Sequence, residues 1–394
     1  MIVLLILIYI AFIGFGLWSS LFSAIWPVMR FDVIAPASAA GFIALIMRGS
    51  GILSSLNSNR VIFNLKTEKV ILLSLLMAAI SLLGTSGAVS LLQLCLWSAV
   101  LGVCSGFIDP AINNYIALHY KARHLSWLHC FWGIGATLGP MVMSGFLEGG
   151  MSWRGGYAAV SALLFVLVLI LLGSFPLWKR MSGRQTAASD RNSKDQERRP
   201  VTNREALRLP GIRDSIFSLV CDSACEASAA LWIASYLVEQ HHMSPITAAM
   251  WTSFYYASIT AGRCISGFLM IKLQSAQIIR LGCCTCIAGV VLLILPLSRS
   301  ATLTGIILLG LGCAPFVPAT LQNTPARFGE KFSQAVIGLQ LASAYISGTF
   351  VPLLVGICSK TLTMSILPWF LLVMTIGMLL FSERASRVTP EGIA

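Results

Sequence analysis

Six ionisable side chains fall inside long apolar stretches of this sequence: Arg48, Asp109, His129, Asp222, Glu226 and Arg263. Placing such a group among hydrocarbon costs at least ~2.5–3.5 kcal/mol on insertion scales, so each needs a reason. Of the 15 acidic residues, only Asp109, Asp222 and Glu226 lie well inside these stretches, and of the five histidines only His129 does. The chemistry such groups can do is to bind and release protons or to hold a polar solute. Asp109 precedes Pro110 and stands one turn before Asn113. It reads as a proton-titrating or solute-binding carboxylate, against the plainer reading of a structural carboxylate paired to Arg48. Arg48 has two readings of equal weight, a partner for Asp109 or a contact to an anionic solute.

Asp222 and Glu226 are four residues apart, so a helix presents both on one face, with Trp232 and Tyr236 further along it. Two carboxylates on one face repel when both are charged, which favours a proton on one of them. Glu226 is about thirteen residues from the inner end, or ~20 Å deep at 1.5 Å per residue. Asp222 is shallower and reads as structural. Arg263, after Gly262 and near an inner end, reads as a gating and packing residue. His129 is a hydrogen-bonded structural group in the plain reading, though its pKa suits proton transfer; with Arg48 it joins the candidate solute contacts.

Other chemistries lack their residues. There is no phosphate-binding Walker loop and no nucleophile-elbow spacing, so neither ATP-driven transport from this chain alone nor an enzyme is expected. The 11 cysteines lie in apolar runs without the pairing that zinc requires, so no metal or cofactor is expected.

The elements that must position these residues are membrane helices. Hydrophobic residues make up 57% of the 394 and charged residues 11%, with a mean hydropathy of +0.82. A soluble domain is nearer 45–50% apolar and about 25% charged. At ~20 residues per crossing, spans are expected at 2–26, 39–58, 69–88, 91–118, 127–147 and 155–178. Six more are expected at 213–238, 246–270, 276–297, 301–322, 333–357 and 361–381. The first run is too long for a signal peptide and lacks a basic flank. Residues 179–210 are dense in charge and poor in large apolar side chains, so they form a linker. The expected architecture is all-α, with an N-terminal six-helix bundle at 1–178, the linker at 179–210 and a C-terminal six-helix bundle at 211–394.

Orientation follows from Lys and Arg. With the N-terminus cytoplasmic, 21 of the 27 fall on the inner side, ten of them between Lys179 and Arg213. The outer side holds only Arg30, Arg154, Arg299 and Lys360. This asymmetry places both termini in the cytoplasm. It also accounts for the net charge of +12 without nucleic acid. The halves resemble each other: Asp109-Pro110-Ala111 in span four answers Val317-Pro318-Ala319 in span ten, each followed by amides. Gly-rich segments end at Pro140 in span five and at Pro352 in span eleven. Internal repeats of this kind build many transporters.

The stretch from Gly102 to Pro140, GVCSGFIDPAINNYIALHYKARHLSWLHCFWGIGATLGP, resembles the major facilitator superfamily. Its likeness is to the branch of fucose–proton symporters and sodium-dependent glucose-transporter-like relatives. Trp26-Pro27, Ser152-Trp153-Arg154, Glu226 with Trp232, Gly262-Arg263 and Gly338-Leu339-Gln340 extend the resemblance over nearly the whole chain. It implies proton coupling at Asp109, a cavity amide at Asn113, and Glu226, Trp232 and Gln340 facing a cavity from the second half. Two features depart from the branch: Ser19 stands near the place of a span-one Asp, and residues 57–69 lack an Asp-Arg-x-Gly-Arg pattern. The expected function is alternating-access, proton-coupled import of a small polar solute such as a sugar, by a monomer in the plasma membrane. Sodium is the other coupling ion to test. The alternatives are proton-coupled efflux of amphipathic compounds and, more distantly, a receptor or enzyme on this scaffold.

Overall fold

The computed structural model describes residues 2–36, 39–176, 178, 201–243 and 245–387. Its described elements are helices: α1 (Ile2–Asp32), α2 (Ala39–Leu65), α3 (Thr67–Ser86), α4 (Leu91–His119), α5 (Arg123–Glu148) and α6 (Trp153–Gly173). A short α7 (Asn203–Ala206) precedes α8 (Ile212–His241), α9 (Pro245–Leu269), α10 (Ser275–Ile294), α11 (Arg299–Cys313), α12 (Phe316–Phe328), α13 (Glu330–Leu362) and α14 (Ile366–Ser386). Of the expected linker, residues 179–200 lie outside the described residues.

Every expected span corresponds to a long helix, with one interruption. Expected span ten is two helices, α11 and α12, that meet at Ala314 and Pro315. Pro315 and Pro318 have no N–H to give to the carbonyls of Leu311 and Ala314, so two helical bonds are missing within one turn. Pro110 removes one such bond, and α4 runs through it unbroken. Eleven segments among the described residues are long and apolar enough to cross a membrane, counting Arg299–Phe328 as one. The remaining long helix, α9, is less apolar because Trp251, Thr252, Ser253, Tyr255, Tyr256 and Arg263 interrupt it.

Packing divides the chain into two compact units. The first takes the described residues of 1–112 and 131–202, the second 113–130 and 203–394. The switch falls within α4 and again within α5, so residues 113–130 group with the second set of helices.

In the first unit, α5 lies against α1 at glycines. A Cβ on Gly135 would strike the Ile13 carbonyl, and one on Gly16 the Trp132 carbonyl. Such glycines let two backbones approach in the absence of a hydrophobic drive between helices in lipid. Helix α3 packs on α6, where Ser161 donates to the Ala79 carbonyl at 2.7 Å. One end of this unit is tied by Trp153 and Arg154. Trp153 Nε1 donates to Asp32 Oδ2 at 2.7 Å, and Arg154 Nη1 donates to the carbonyls of Ser86 and Ala88 at 2.9 and 2.7 Å. Arg154 thereby satisfies carbonyls that the end of α3 leaves open. Replacing Trp153 by Phe is expected to cost about 1–3 kcal/mol, from the lost hydrogen bond to Asp32 and the space the smaller ring leaves at a buried position. A modest fall in melting temperature with unchanged expression checks this.

In the second unit, α8 is the central helix. Its face of Ser215, Ser218, Asp222, Cys225 and Ala229 is fully buried against neighbouring helices. Trp232 Nε1 donates to the Pro352 carbonyl of α13 at 2.9 Å. The Trp232 ring lies directly on Gly356, where a Cβ would collide with it.

Candidate functional site

The second unit gathers the polar groups of four helices. Glu226 of α8 faces Arg263 of α9, with Oε1 and Nη2 at 3.3 Å. The pair sits within spanning helices, yet the Glu226 side chain keeps 29% of its exposure and Arg263 only 11%. Glu226 is thus open on one side, and Arg263 is nearly enclosed. Tyr255, fully buried on α9, donates its hydroxyl to the Glu226 backbone carbonyl at 3.2 Å and anchors that turn of α8.

His129, one turn and a half into α5, is the next member. Its Nε2 lies 3.1 Å from Asn113 Oδ1 on α4, and because an amide oxygen only accepts, the ring donates there. Arg263 lies within electrostatic reach of the imidazole as well as of Glu226. The polar chain across α4, α5, α9 and α8 thus consists of two bonded pairs, Asn113–His129 and Glu226–Arg263. Below it, Ser126 and Ser266 share a hydrogen bond of 2.8 Å, and Trp127 stacks edge-on against Phe268. Gly267 has no side chain to displace the Trp127 indole, so α5 and α9 meet closely there.

Not every expected site residue joins this chain. Gln340 of α13 is fully buried, donates to Ser215 Oγ at 2.8 Å and accepts from Thr324 at 3.1 Å. It bridges α8, α12 and α13. Trp232 is on α8 two turns beyond Glu226, held by α13 as described above. In the first unit, Asp109 is buried on α4 with 7% exposure. Arg48 is exposed on α2 and makes no ion pair among the described residues. The face of α2 that meets α4 is instead made by Met47, Gly51 and Ser54, against Gly102 and Gly106.

Sequence reasoning placed Arg263 near the inner mouth as a gate and did not pair it with Glu226. The signal was available only in part: a lone arginine and a lone glutamate in adjacent spans predict a partner, but not which. Tyr255 and Ser266 were missed because hydroxyls are common in these helices and carry no spacing signature. Among the described residues no cluster of His, Cys, Asp and Glu is arranged to hold a metal ion.

The Major Facilitator Superfamily model matches residues 4–352. A protein of Sinorhizobium fredii described as an uncharacterized transporter, y4wD, is 23% identical over 302 residues, 73% of this chain and 72% of that one. The glucose/mannose transporter GlcP of Bacillus subtilis is 22% identical over 263 residues, 65% of this chain and 63% of the relative. Among solved structures, FucP, the E. coli fucose:proton symporter, superposes with a TM-score of 0.77 at 12% identity, covering 97% of this chain and 98% of that one. XylE, a proton:xylose symporter bound to 6-bromo-6-deoxy-D-glucose, gives 0.76 at 13% identity, covering 98% and 95%. At such identities these structures establish the fold.

Proposed function

The chain belongs to the Major Facilitator Superfamily, and from that premise we propose that it imports a small polar solute, a sugar first among the classes, by proton symport. The observation that carries this reading is the Glu226–Arg263 pair inside spanning helices, with the His129–Asn113 hydrogen bond in the same unit. A carboxylate, an imidazole, an amide and a guanidinium together offer both donors and acceptors, which is what a polyol needs. The carboxylate of the set also provides a proton site. Fucose:proton and proton:xylose symporters among its structural neighbours, and a glucose/mannose transporter among its relatives, favour the sugar class.

In this reading Asp109 and Glu226 are the proton-coupling carboxylates. Asn113, His129, Trp232, Gln340 and Arg48 bind the solute, Trp232 and Gln340 mainly by fixing the helices around it. Arg263 acts as the gate by trading Glu226 for solute. Proton and solute shift the balance between outward- and inward-open states by binding one more tightly than the other. The protein works as a monomer in the plasma membrane with both termini cytoplasmic, as its Lys and Arg distribution favours.

The experiment is uptake into proteoliposomes under an imposed inward proton gradient, using labelled D-glucose, D-mannose, L-fucose and D-xylose, with and without sodium. Accumulation of at least one of these that collapses with a protonophore and ignores sodium supports the reading. Asp109→Asn and Glu226→Gln are each expected to abolish gradient-driven accumulation while leaving counterflow of the same sugar measurable. Accumulation intact in both variants would exclude this coupling assignment. Proton-driven extrusion of amphipathic dyes without sugar uptake would replace import by efflux.

A further inference from the structure

Asp222 has no part in the polar chain described above, yet it is the least exposed acid of the described residues. Its exposure is 0%, and neither carboxylate oxygen has a hydrogen-bond partner among the described residues. An ionised carboxylate so placed would forfeit its hydration without compensation. A carboxylic acid carrying a proton forfeits far less. One turn before it on the same face of α8 stands Ser218, also buried.

Ser218 lines a small cavity of mixed polar and apolar walls together with Ile279 of α10, Thr320 and Arg327 of α12 and Glu383 of α14; Asp222 itself lies outside the lining, one turn of α8 away. The cavity has room for about one water. Thr320 is 6% exposed, and its hydroxyl has no hydrogen-bond partner among the described residues, so an unpaired buried group borders this space. The cavity lies toward the end of α8 from which Lys and Arg counting predicts access to the cytoplasm. One turn beyond Asp222, on the other side, is Glu226.

The charged and titratable groups around Asp222 leave it without a dedicated partner. On α8 itself these are Cys221, Cys225 and Glu226. Arg263 of α9 is within electrostatic reach of it but pairs with Glu226. Cys283 and Cys286 of α10 and Cys313 of α11 bring thiols, which are weak donors. Arg327 of α12 and Glu383 of α14 stand at the cavity, with Glu383 bound to Arg280. Gln340 of α13 is neutral and bound to Ser215 and Thr324.

We propose that Asp222 is a proton-binding site on α8, loaded from the cavity bordered by Ser218 and Thr320 and able to pass its proton to Glu226. This rests on the proton-coupling reading above for its purpose, and on the burial and the cavity for its place. A proton enters from cavity water onto a carboxylate oxygen of Asp222. It moves on to Glu226 when that carboxylate parts from Arg263, which leaves Asp222 to be refilled from the cavity.

Infrared difference spectroscopy of the full chain in liposomes tests this with no transported solute present. The wild type minus Asp222→Asn spectrum at neutral pH is expected to contain the carbonyl stretch of a protonated carboxylic acid. That band should survive in Glu226→Gln and in Asp109→Asn. Its downshift on transfer to deuterated water should be several-fold slower in Thr320→Leu, which fills the cavity. A wild type minus Asp222→Asn spectrum without the band would overturn the proposal, as would exchange equally fast in Thr320→Leu. Asn is a neutral isostere, so thermal melting of Asp222→Asn should stay close to wild type; a collapse of the fold would mean an ionised, structural Asp222 and would also overturn it. A band that behaves as expected in a protein with no proton-driven uptake would refute the symporter reading alone.

Discussion

Replacing Arg263 by methionine is expected to eliminate proton-driven uptake and to lower the thermal stability of the protein in detergent. Methionine keeps most of the volume of the arginine stem, so the change falls on the charge. Removing one partner of a buried ion pair leaves the other charge uncompensated, at a cost of about 3–5 kcal/mol. Glu226 retains 29% of its side-chain exposure, so partial hydration places the expected cost at the lower end of that range. The double variant Arg263→Met with Glu226→Gln removes both charges. It should recover most of the stability while remaining unable to couple uptake to protons. Melting temperatures of the four proteins form a double-mutant cycle whose interaction energy is the strength of the pair. Additive losses would mean that the two side chains act separately, and the polar chain through α9 would then have no coupled centre.

Gly135→Leu should produce the second large effect, a loss of folded protein. The Cβ of any residue at 135 meets the Ile13 carbonyl of α1, which is backbone and cannot rotate aside as a side chain does. Gly16 meets α5 reciprocally at the Trp132 carbonyl, so separating the helices at one contact opens the other. Overpacking a core costs typically 1–3 kcal/mol when side chains can shift, and a backbone clash exceeds that. Gly145→Ala on the same α5 is the control: nothing lies within 4 Å of its Cβ position. It should be neutral or gain up to about 1 kcal/mol of helix propensity. Fluorescence-detected gel filtration of tagged variants would compare the monodisperse fractions. Equal recovery of the two variants would mean that α1 and α5 do not depend on this contact.

The glycine effect was legible in the sequence as a type of contact but not as a partner. Gly135, Gly139 and Pro140 signal a face built for close approach, because glycine has no other use in the middle of an apolar helix. Which helix approaches is a question of topology, and α1 is more than a hundred residues away. The same holds for Ser152-Trp153-Arg154. The motif is visible as a resemblance, while its bonds to Asp32 and to the carbonyls of Ser86 and Ala88 belong to the folded chain.

Span ten shows a different limit. Its hydropathy is continuous from 299 to 328, and nothing in that pattern reveals a break. The two prolines at 315 and 318 do carry it, through the missing N–H groups rather than through polarity. Asp222 shows the limit most sharply. Counting residues from the helix start gives a depth but not the surroundings, and the shallow position suggested a structural role. Its orphaned oxygens and the cavity one turn away come from α10, α11, α12 and α14, which no local pattern could place beside it.

The sequence by itself determined the solvent and the order of the spanning helices, and it marked which ionisable residues lie within them. These follow from single-residue transfer costs and helical length, which act locally and add along the chain. Only the tertiary structure decided which ionisable groups meet. Arg263 faces Glu226, Asn113 holds His129, and the Asp222 carboxylate has no hydrogen-bond partner among the described residues. Pairing depends on the rotation and register of helices packed far apart in sequence. In lipid that register is set by small-residue contacts and van der Waals fit, which the order of residues along any one helix leaves open.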